Sequence, residues 1–448
     1  MPTQMISVSR TLFLAVPVCL VLAGCGLFGG GKKEVSPEEL ASRVTINPLE
    51  EDLTPDPELA SITVELPPPT PAADWTQVGV GPEKVPGHLD AAPAFRIDWR
   101  AGVGGSNQSK RIVAAPVVKD NRVYVIDANQ KVSAFNADNG RRLWERDLES
   151  LNKKRDNHAV GGGLAIAGDK LIVASGFAYV EALSLADGSS VWRRLVDSPM
   201  SGSPAVIGNR AFVTSTNNEF YALDTETGEI IWNDQAIAET ARVLSSPSPA
   251  VTNDILTVPY SSGELIAYIP ANGRRLWADT LTTLGRYTPL SVINDIAGRP
   301  SIADGTVYAA SHSGVLAAID ARSGAREWAT ILGSRQGPVV SGNFLFIVST
   351  GAKVVCFNRI DGKVVWVRDL PEFKNEKAKK NRVVWTGPLI VTNRLIVVSS
   401  EGNVLALSPQ NGETVSELKV GQPIYIEPIA AAGKIFVLTD KGGLIAIR

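Results

Sequence analysis

The chain has 448 residues, of which 44% are apolar, and its formal net charge is −2. This balance allows a packed core and excludes the strongly basic surface of a nucleic-acid-binding protein. The length fits two or three ordinary domains or one large repeat architecture, and the 40 glycines with abundant Val, Ile and Thr favour strands and turns over helices.

The N-terminus is predicted to be a targeting segment. Arg10 precedes an apolar stretch of signal-peptide length, Thr11 to Leu22, which is too short to span a bilayer comfortably. The next residues, Ala23-Gly24-Cys25, complete a sequence that resembles the lipobox of bacterial lipoproteins, in which the Cys is lipid-modified. The resemblance implies a signal peptide over residues 1–24, a lipid (palmitate) on Cys25 and, with Gly26 next, the periplasmic face of a Gram-negative outer membrane. The alternative is a soluble secreted protein in which Cys25 is incidental.

Residues 25–74 are predicted to form a lipid-anchored tether, and residues 75–448 the folded part. Eight prolines lie between Ser36 and Ala72, so this stretch cannot form a continuous helix or sheet.

A motif of Ala, a polar turn, Gly and Trp recurs along the rest of the chain. Its copies are AFNADNGRRLW, ALSLADGSSVW, ALDTETGEIIW, AYIPANGRRLW, AIDARSGAREW, CFNRIDGKVVW and ALSPQNGETVS. With the isolated Trp99, the motif tryptophans are Trp99, Trp144, Trp192, Trp232, Trp277, Trp328 and Trp366, and Ser416 stands at the last position. The period of roughly 45 residues, with short β-branched runs separated by turns, predicts an all-β propeller with one four-stranded antiparallel blade per repeat.

The two ends of the chain are predicted to complete one blade together. The final segment, IEPIAAAGKIFVLTDKGGLIAIR, supplies three strands and stops at Arg448, where a fourth strand is missing. The N-terminal segment around Trp99 supplies a strand that belongs to no other repeat. We therefore expect an eight-bladed propeller whose N-terminal strand closes the last blade, which leaves no open sheet edge in the ring.

The motif residues have predicted structural roles. The Gly is expected at a turn that needs a positive φ, and the polar residue before it is expected to cap that turn. The Ala keeps the third strand thin where blades approach each other. The Trp side chains are expected to be buried between neighbouring blades.

Residue types needed for catalysis or metal binding form no recognisable site. Cys356 stands where other repeats have Ala, which predicts a buried small residue rather than a nucleophile. His88, His158 and His312 are far apart, form no metal-binding pair and are predicted to be ordinary surface or turn histidines. We therefore expect no metal site and no enzymatic activity.

The repeat itself resembles the tryptophan-docking motif of quinoprotein dehydrogenases, which are eight-bladed propellers that bind pyrroloquinoline quinone. That resemblance implies a cofactor held against two adjacent cysteines, with a calcium ion and an Asp base. The sequence has no adjacent cysteines and lacks the long insertions of those enzymes, so we expect no cofactor. A quinoprotein-like dehydrogenase and a periplasmic ligand-binding propeller remain the alternative functions.

The whole chain is similar to the BamB-type lipoproteins of the outer-membrane β-barrel assembly machinery. The similarity covers the lipobox, the short tether, the eight repeats, the last motif without Trp and the ending GGLIAIR. It implies a non-catalytic scaffold of the Bam complex that docks on the periplasmic domains of the central barrel subunit (BamA-type) and aids the folding and insertion of unfolded outer-membrane protein clients.

The same resemblance implies partner contacts in two loops. After Trp232, the segment ETARVLSSPSP offers Arg242 and Leu244. After Trp277, the segment INDIAGRP offers Asp295, with Ala297 where the family has a second acidic residue. The alternatives are a solvated loop residue for Arg242 and a turn cap for Asp295.

One further segment is a candidate contact surface. Residues 371–382, PEFKNEKAKKNR, form a basic insertion that is predicted to be a solvated loop. Its alternative roles are contact with an acidic partner or with lipid head groups.

Overall fold

A computed structural model describes residues 53–105, 110–152, 161–238, 243, 247–282 and 295–448. The chain separates into two compact units, Met1–Ile46 and Asn47–Arg448, and all described residues belong to the second. The predicted signal peptide and Cys25 lie outside the described residues. In the part of the chain that is described, no helix is long and apolar enough to cross a membrane.

The described chain is built almost entirely of strands, preceded by one short 3₁₀ helix at Pro57–Leu59. The first strands are β1 (Thr70–Pro71), β2 (Leu89–Asp90) and β3 (Ile97–Gly102). The first three blades are formed by β4 (Val117–Lys119), β5 (Arg122–Ile126), β6 (Lys131–Asn136) and β7 (Arg142–Asp147); by β8 (Gly162–Ala167), β9 (Lys170–Ser175), β10 (Tyr179–Ser184) and β11 (Ser190–Leu195); and by β12 (Ala205–Ile207), β13 (Arg210–Thr214), β14 (Glu219–Asp224) and β15 (Ile230–Gln235).

The next three blades follow in the same order. They are formed by β16 (Ala250–Val251), β17 (Leu256–Pro259), β18 (Glu264–Tyr268) and β19 (Arg275–Thr280); by β20 (Ser301–Ala303), β21 (Thr306–Ala310), β22 (Val315–Asp320) and β23 (Arg326–Ile331); and by β24 (Val339–Ser341), β25 (Phe344–Val348), β26 (Lys353–Asn358) and β27 (Val364–Asp369).

A hairpin precedes the last two blades. The basic insertion forms this exposed hairpin, β28 (Phe373–Asn375) with β29 (Lys380–Arg382). Blade 7 contains β30 (Trp385–Val391), β31 (Arg394–Ser399), β32 (Asn403–Leu407) and β33 (Thr414–Lys419), and blade 8 contains β34 (Ile429–Ala431), β35 (Lys434–Leu438) and β36 (Gly443–Ile447).

The predicted closure of the last blade is confirmed. Strand β3 pairs antiparallel with β36, and Trp99 lies opposite Ala446. Among the described residues there are thus eight blades of four antiparallel strands each, and in blade 7 the short strands β1 and β2 extend the sheet to six strands by parallel pairing beside β30. The first strand is the innermost strand of each blade and faces the central channel. The first strands of blades 1 to 6 contact one another in turn, and those of blades 7 and 8 also contact each other.

The hydrophobic core lies between blades rather than inside one sheet. One cluster contains Tyr124 and Val132 from blade 1 together with Leu171 and Tyr179 from blade 2. Both faces of each middle strand are therefore covered by neighbouring blades. This explains why these strands are almost continuously apolar and do not alternate between apolar and polar residues.

Each motif Trp contacts the next blade in the same way. The indole N–H donates to the carbonyl oxygen three residues after the motif Ala or Cys. The pairs are Trp99–Ala137, Trp144–Leu185, Trp192–Thr225, Trp232–Pro270, Trp277–Ala321, Trp328–Arg359 and Trp366–Pro409, at 2.8 to 3.1 Å.

The same ring lies against the motif Gly of the next blade. At Gly273, which has a φ of +72°, an added Cβ would lie 2.5 Å from the Trp232 ring. The Gly is therefore required both by the turn and by the close approach of the indole.

Residues 53–92 pack against the blades. They comprise the last part of the segment predicted as a tether and the first residues predicted to belong to the propeller. The backbone N–H of Asp56 donates to the carbonyl oxygen of Val364 at 2.8 Å. His88 is buried, although the sequence predicts a surface or turn histidine. Its two ring nitrogens bond the Pro67 carbonyl oxygen and the Asn393 backbone N–H, which ties this segment to blade 7.

Residues 75–84 cross the central channel, and we call them the channel strap. Their backbone or side-chain groups hydrogen-bond the innermost strands of five successive blades. The pairs are Trp75–Val118, Thr76–Ile166, Gln77–Val206, Pro82–Val251 and Glu83–Ile302. Polar backbone groups on the channel wall are thereby satisfied by the strap.

Candidate functional site

The two predicted contact loops lie at the same end of the propeller. In each antiparallel blade, the connection to the next blade and the turn between the second and third strands fall at one end of the sheet. Residues 236–249 connect β15 to β16, and residues 281–300 connect β19 to β20. We call this end of the ring the loop face.

Asp295 holds the two loops together. Its Oδ2 accepts a 2.8 Å hydrogen bond from the backbone N–H of Val243, and its backbone carbonyl oxygen accepts one of 2.9 Å from His312. Only 3% of Asp295 is exposed. The carboxylate therefore faces into the protein and positions the loop that contains Val243. Arg242 and Leu244, which flank Val243 in the sequence, lie outside the described residues.

A cavity of about 330 Å³ lies beside Asp295 at the channel mouth. Its walls come from segments that precede the inner strands of blades 1, 5, 6 and 8 and from the turn between β35 and β36, and Val78 of the channel strap also lines it. The charged and aromatic residues of the wall are Arg111, Arg299, Arg335, Tyr425, Glu427 and Asp440. We call this cavity the mouth pocket.

Two ion pairs are built into its wall. Arg299, almost fully buried, contacts Glu427 through one terminal nitrogen, and Arg111 contacts Asp440 in the same way. The Arg111 guanidinium also lies 5.9 Å from the centre of the Tyr425 ring. The buried Arg299–Glu427 pair holds its guanidinium group in a defined orientation, whereas the Arg111 side chain is about half exposed.

Arg335 supplies the third guanidinium of the pocket. Burial lowers its pKa, against the opposing effect of the nearby Asp295 carboxylate. Lys84 of the channel strap lies close by, and its Nζ donates to Gln77 Oε1 at 2.9 Å. Burial lowers the pKa of Lys84 well below its ordinary value, and the positive charge of Arg299 lowers it further. The channel mouth thus holds basic side chains at poorly solvated positions, with carboxylates beside the arginines.

The sequence motifs did not reveal this pocket. Arg111, Arg299, Arg335 and Glu427 come from four different blades, and no repeat position is shared by all of them. Arg299 does lie in the segment INDIAGRP, which was singled out for Asp295. The only available signal was the occurrence of charged residues just before innermost strands.

The residues present do not match a quinone site. No two cysteines are adjacent in the sequence, and in the described part of the chain no group of His, Cys, Asp and Glu has the arrangement of a metal site. Cys356 is fully buried, and burial raises the pKa of its thiol, which makes it a poor nucleophile.

Comparisons with known proteins point to one family. A family model described as "Outer membrane protein assembly factor BamB" matches residues 96–158 and 149–368. The protein of that name from Escherichia coli (strain K12) is 25% identical over 353 residues, which cover 78% of this chain and 88% of the relative. The one from Yersinia pestis is 24% identical and covers 78% of this chain and 87% of the relative.

Solved structures share the fold. The crystal structure of BamB from Moraxella catarrhalis aligns with a TM-score of 0.64 at 18% identity, over 78% of this chain and 99% of that chain. Quinohemoprotein alcohol dehydrogenase from Comamonas testosteroni also aligns with a TM-score of 0.64, at 13% identity, over 84% of this chain and 80% of that chain. At these identities the structural likeness shows the propeller alone, and it does not separate a scaffold from an enzyme.

Proposed function

We infer the function of this chain from its family, because the chain belongs to the BamB family of outer membrane protein assembly factors. The observation that carries this conclusion is the family match, which runs from the closing strand β3 to the outer strand of blade 6. The chain is accordingly an assembly factor for outer membrane proteins. It works as a scaffold without catalysis, and its clients are unfolded outer membrane proteins.

We propose that a lipid on Cys25 holds the chain at the periplasmic face of the outer membrane. The apolar segment before Cys25 and the small residues next to it support this anchor. The residues between Cys25 and Leu53, where the packed part begins, are the proposed link between the membrane surface and the propeller.

The proposed partner is the central barrel subunit of the assembly machinery, contacted through its periplasmic domains. The loop face is the proposed docking surface, with Arg242 and Leu244 as contact residues. Ile237, at the start of the same loop, is 63% exposed and offers apolar area for a protein contact. An exposed apolar side chain next to a charged residue is typical of a protein contact.

Asp295 takes part in this site by positioning the loop. Because its carboxylate is buried against the Val243 N–H, we propose that it presents Arg242 and Leu244 rather than contacting the partner itself. Loss of the carboxylate then weakens docking indirectly.

The test is a pull-down of the tagged full-length chain from membranes in mild detergent, with mass spectrometry of the proteins that co-elute. We expect the central barrel subunit with the wild-type chain and much less of it with Arg242→Glu. Arg141→Glu is the matched control, because Arg141 is an exposed arginine in the turn between β6 and β7 at the opposite end of the propeller.

Two results would count against the proposal. Absence of the barrel subunit from the wild-type eluate would contradict the scaffold function. Equal recovery with Arg242→Glu and wild type would contradict the docking site while leaving the function in place.

A further inference from the structure

The outer strand of blade 3 has an exposed apolar pair whose counterpart in blade 6 is covered. A β-bulge before the motif Trp places two consecutive residues at the same point of each outer strand, Ile230 and Ile231 in blade 3 and Val364 and Val365 in blade 6. Each valine is 9% exposed, whereas Ile230 is 40% and Ile231 is 43% exposed. The two pairs hold the same place in the fold and differ in what lies over them.

The N-terminal segment covers the valines of blade 6. The backbone N–H of Asp56 donates to the carbonyl oxygen of Val364 at 2.8 Å. Leu53 packs against the core cluster that contains Val364, and Leu59 belongs to the cluster that contains Val365. Blade 6 thus shows how a chain segment binds at this bulge, through a backbone hydrogen bond and through apolar side chains.

Charge adds to the contact in blade 6. Lys363, which follows the motif Gly and precedes the valines, forms ion pairs with Asp56, at 3.2 Å, and with Glu58. The residue at this position therefore touches the charged side chains of the bound segment. Its sign is a predictor of the charge that a segment bound at the same place must carry.

The equivalent position in blade 3 is occupied by an acidic residue. Glu229 follows the motif Gly228 and is exposed. Arg194 of blade 2 donates to the carbonyl oxygen of Gly228 at 2.7 Å, and no ion pair joins Glu229 to a basic side chain in the described part of the chain. A segment that binds blade 3 as residues 53–66 bind blade 6 would therefore meet a negative charge where that segment meets Lys363.

No other open blade carries two apolar residues at the bulge. The equivalent pairs in blades 1, 2, 4, 5, 7 and 8 are Arg142-Leu143, Ser190-Val191, Arg275-Leu276, Arg326-Glu327, Thr414-Val415 and Ile97-Asp98. Each of them has at least one polar or charged member. Blade 3 alone combines the apolar surface that is covered in blade 6 with a free approach from solvent.

We propose that the outer strand of blade 3 binds a segment of another protein that combines a leucine-like side chain with basic residues. The segment donates a backbone hydrogen bond to the Ile230 carbonyl oxygen, covers Ile230 and Ile231, and pairs a basic side chain with Glu229. A second copy of this chain does not fit, because its Asp56 and Glu58 would bring negative charge to Glu229. The site does not use Arg242 or Leu244, so it is independent of the proposed docking on the barrel subunit.

The experiment measures binding of two labelled peptides to the full-length chain in mild detergent at low salt, by fluorescence anisotropy. The parent peptide has the sequence of residues 53–66, LTPDPELASITVEL, and the basic peptide carries Asp56→Lys and Glu58→Lys. Blade 6 is already covered by the chain's own segment, so added peptide reports on other sites. We expect the basic peptide to bind about 3- to 10-fold more tightly than the parent, as one or two exposed ion pairs allow.

Variants assign the binding to blade 3. Glu229→Lys is expected to reverse the preference, so that the parent peptide binds more tightly than the basic one. Ile230→Ser combined with Ile231→Ser is expected to weaken binding of the basic peptide at least ~10-fold. Val415→Ser is the matched control, because Val415 is 61% exposed at the equivalent bulge of blade 7, and it should bind like the wild type.

A further peptide separates this site from general attraction between charges. The basic peptide with Leu59→Ser keeps both lysines and loses the apolar side chain, and it is expected to bind more weakly than the basic peptide itself. Equal binding of these two peptides would show that charge alone accounts for the signal and would overturn the proposal.

Other results would also overturn it. These are a lack of measurable binding by the basic peptide, an unchanged preference in Glu229→Lys, and equal losses of affinity in Val415→Ser and in the double isoleucine variant. The replaced residues are exposed, and Glu229→Lys tests the site even if the double variant fails to fold.

Discussion

The indole N–H of Trp366 donates a 2.9 Å hydrogen bond to the carbonyl oxygen of Pro409 in the next blade. Blade 7 has Ser416 at the position equivalent to Trp366. The next blade is the composite one, and its chain ends at Arg448, immediately after β36. The third and outer strands of this blade, β36 and β3, come from distant parts of the chain, so they are not joined by the turn that supplies this carbonyl oxygen and the Gly in the other blades. We infer that a tryptophan at position 416 would lack this docking site.

This relationship predicts very different effects on stability for two substitutions at equivalent positions. Trp366→Ser should destabilise the chain by about 3–5 kcal/mol, because it removes a buried ring and its hydrogen bond. Ser416→Trp should change the stability by less than about 0.5 kcal/mol, since no docking site receives the new ring. Thermal unfolding of both variants checks this. A clear gain in stability from Ser416→Trp would contradict the explanation.

Because the Trp ring lies close to the motif Gly, replacing this Gly is expected to destabilise the chain strongly. Gly273→Ala combines an unfavourable φ with a Cβ 2.5 Å from the Trp232 ring, and a loss of about 2–5 kcal/mol is expected. Gly208→Ala is the matched control, because Gly208 also has a positive φ, +55°, but nothing lies within 4 Å of an added Cβ. It should lose only about 1–2 kcal/mol. Similar losses of melting temperature for both variants would show that the ring contact contributes little.

Substitution of Lys84 is expected to increase the stability of the folded chain by an amount that depends on pH. Its pKa is lowered in the folded state, so between that lowered pKa and the ordinary value of 10.5 the folded state binds fewer protons than the unfolded state. The stability of the wild type should therefore rise with pH across this window. Lys84→Met removes the buried ionisable amine, while Gln77 Oε1 still accepts from the Val206 N–H.

We expect Lys84→Met to be more stable than the wild type by at least ~1 kcal/mol at pH 7. The difference should shrink as the pH rises toward 10.5, and melting temperatures measured from pH 6 to pH 10 check it. A difference that stays constant over this range would mean that packing, and not the charge, determines the effect.

Two replacements of Asp295 are expected to differ in their effect on recovery of the barrel subunit. Asp295→Asn keeps an oxygen that can accept from the Val243 N–H, whereas Asp295→Ala does not. If Asp295 acts by positioning the loop, Asn should retain most of the recovery of the barrel subunit in the pull-down, and Ala should lose most of it. Equal loss with Asn and Ala would instead indicate that the negative charge itself is required.

Local patterns were enough to predict the architecture. The Gly, the polar cap and the Trp recur in every complete motif, because each blade forms the same turn and makes the same contact with its neighbour. The period of the repeat and the incomplete blades at the two ends predicted how the propeller closes. The buried position of Cys356 followed from the Ala found at that place in other repeats.

The sequence by itself determined the features that depend on neighbours along the chain: strands, turns, blade period and closure. The tertiary structure alone decided the features that depend on residues brought together from distant blades. It places residues 75–84 across the channel, turns Asp295 inward onto Val243, and gathers Arg111, Arg299, Arg335 and Glu427 around one pocket. These residues share no spacing, because the channel mouth collects one segment from each blade, and only the closed ring sets the distances between such segments.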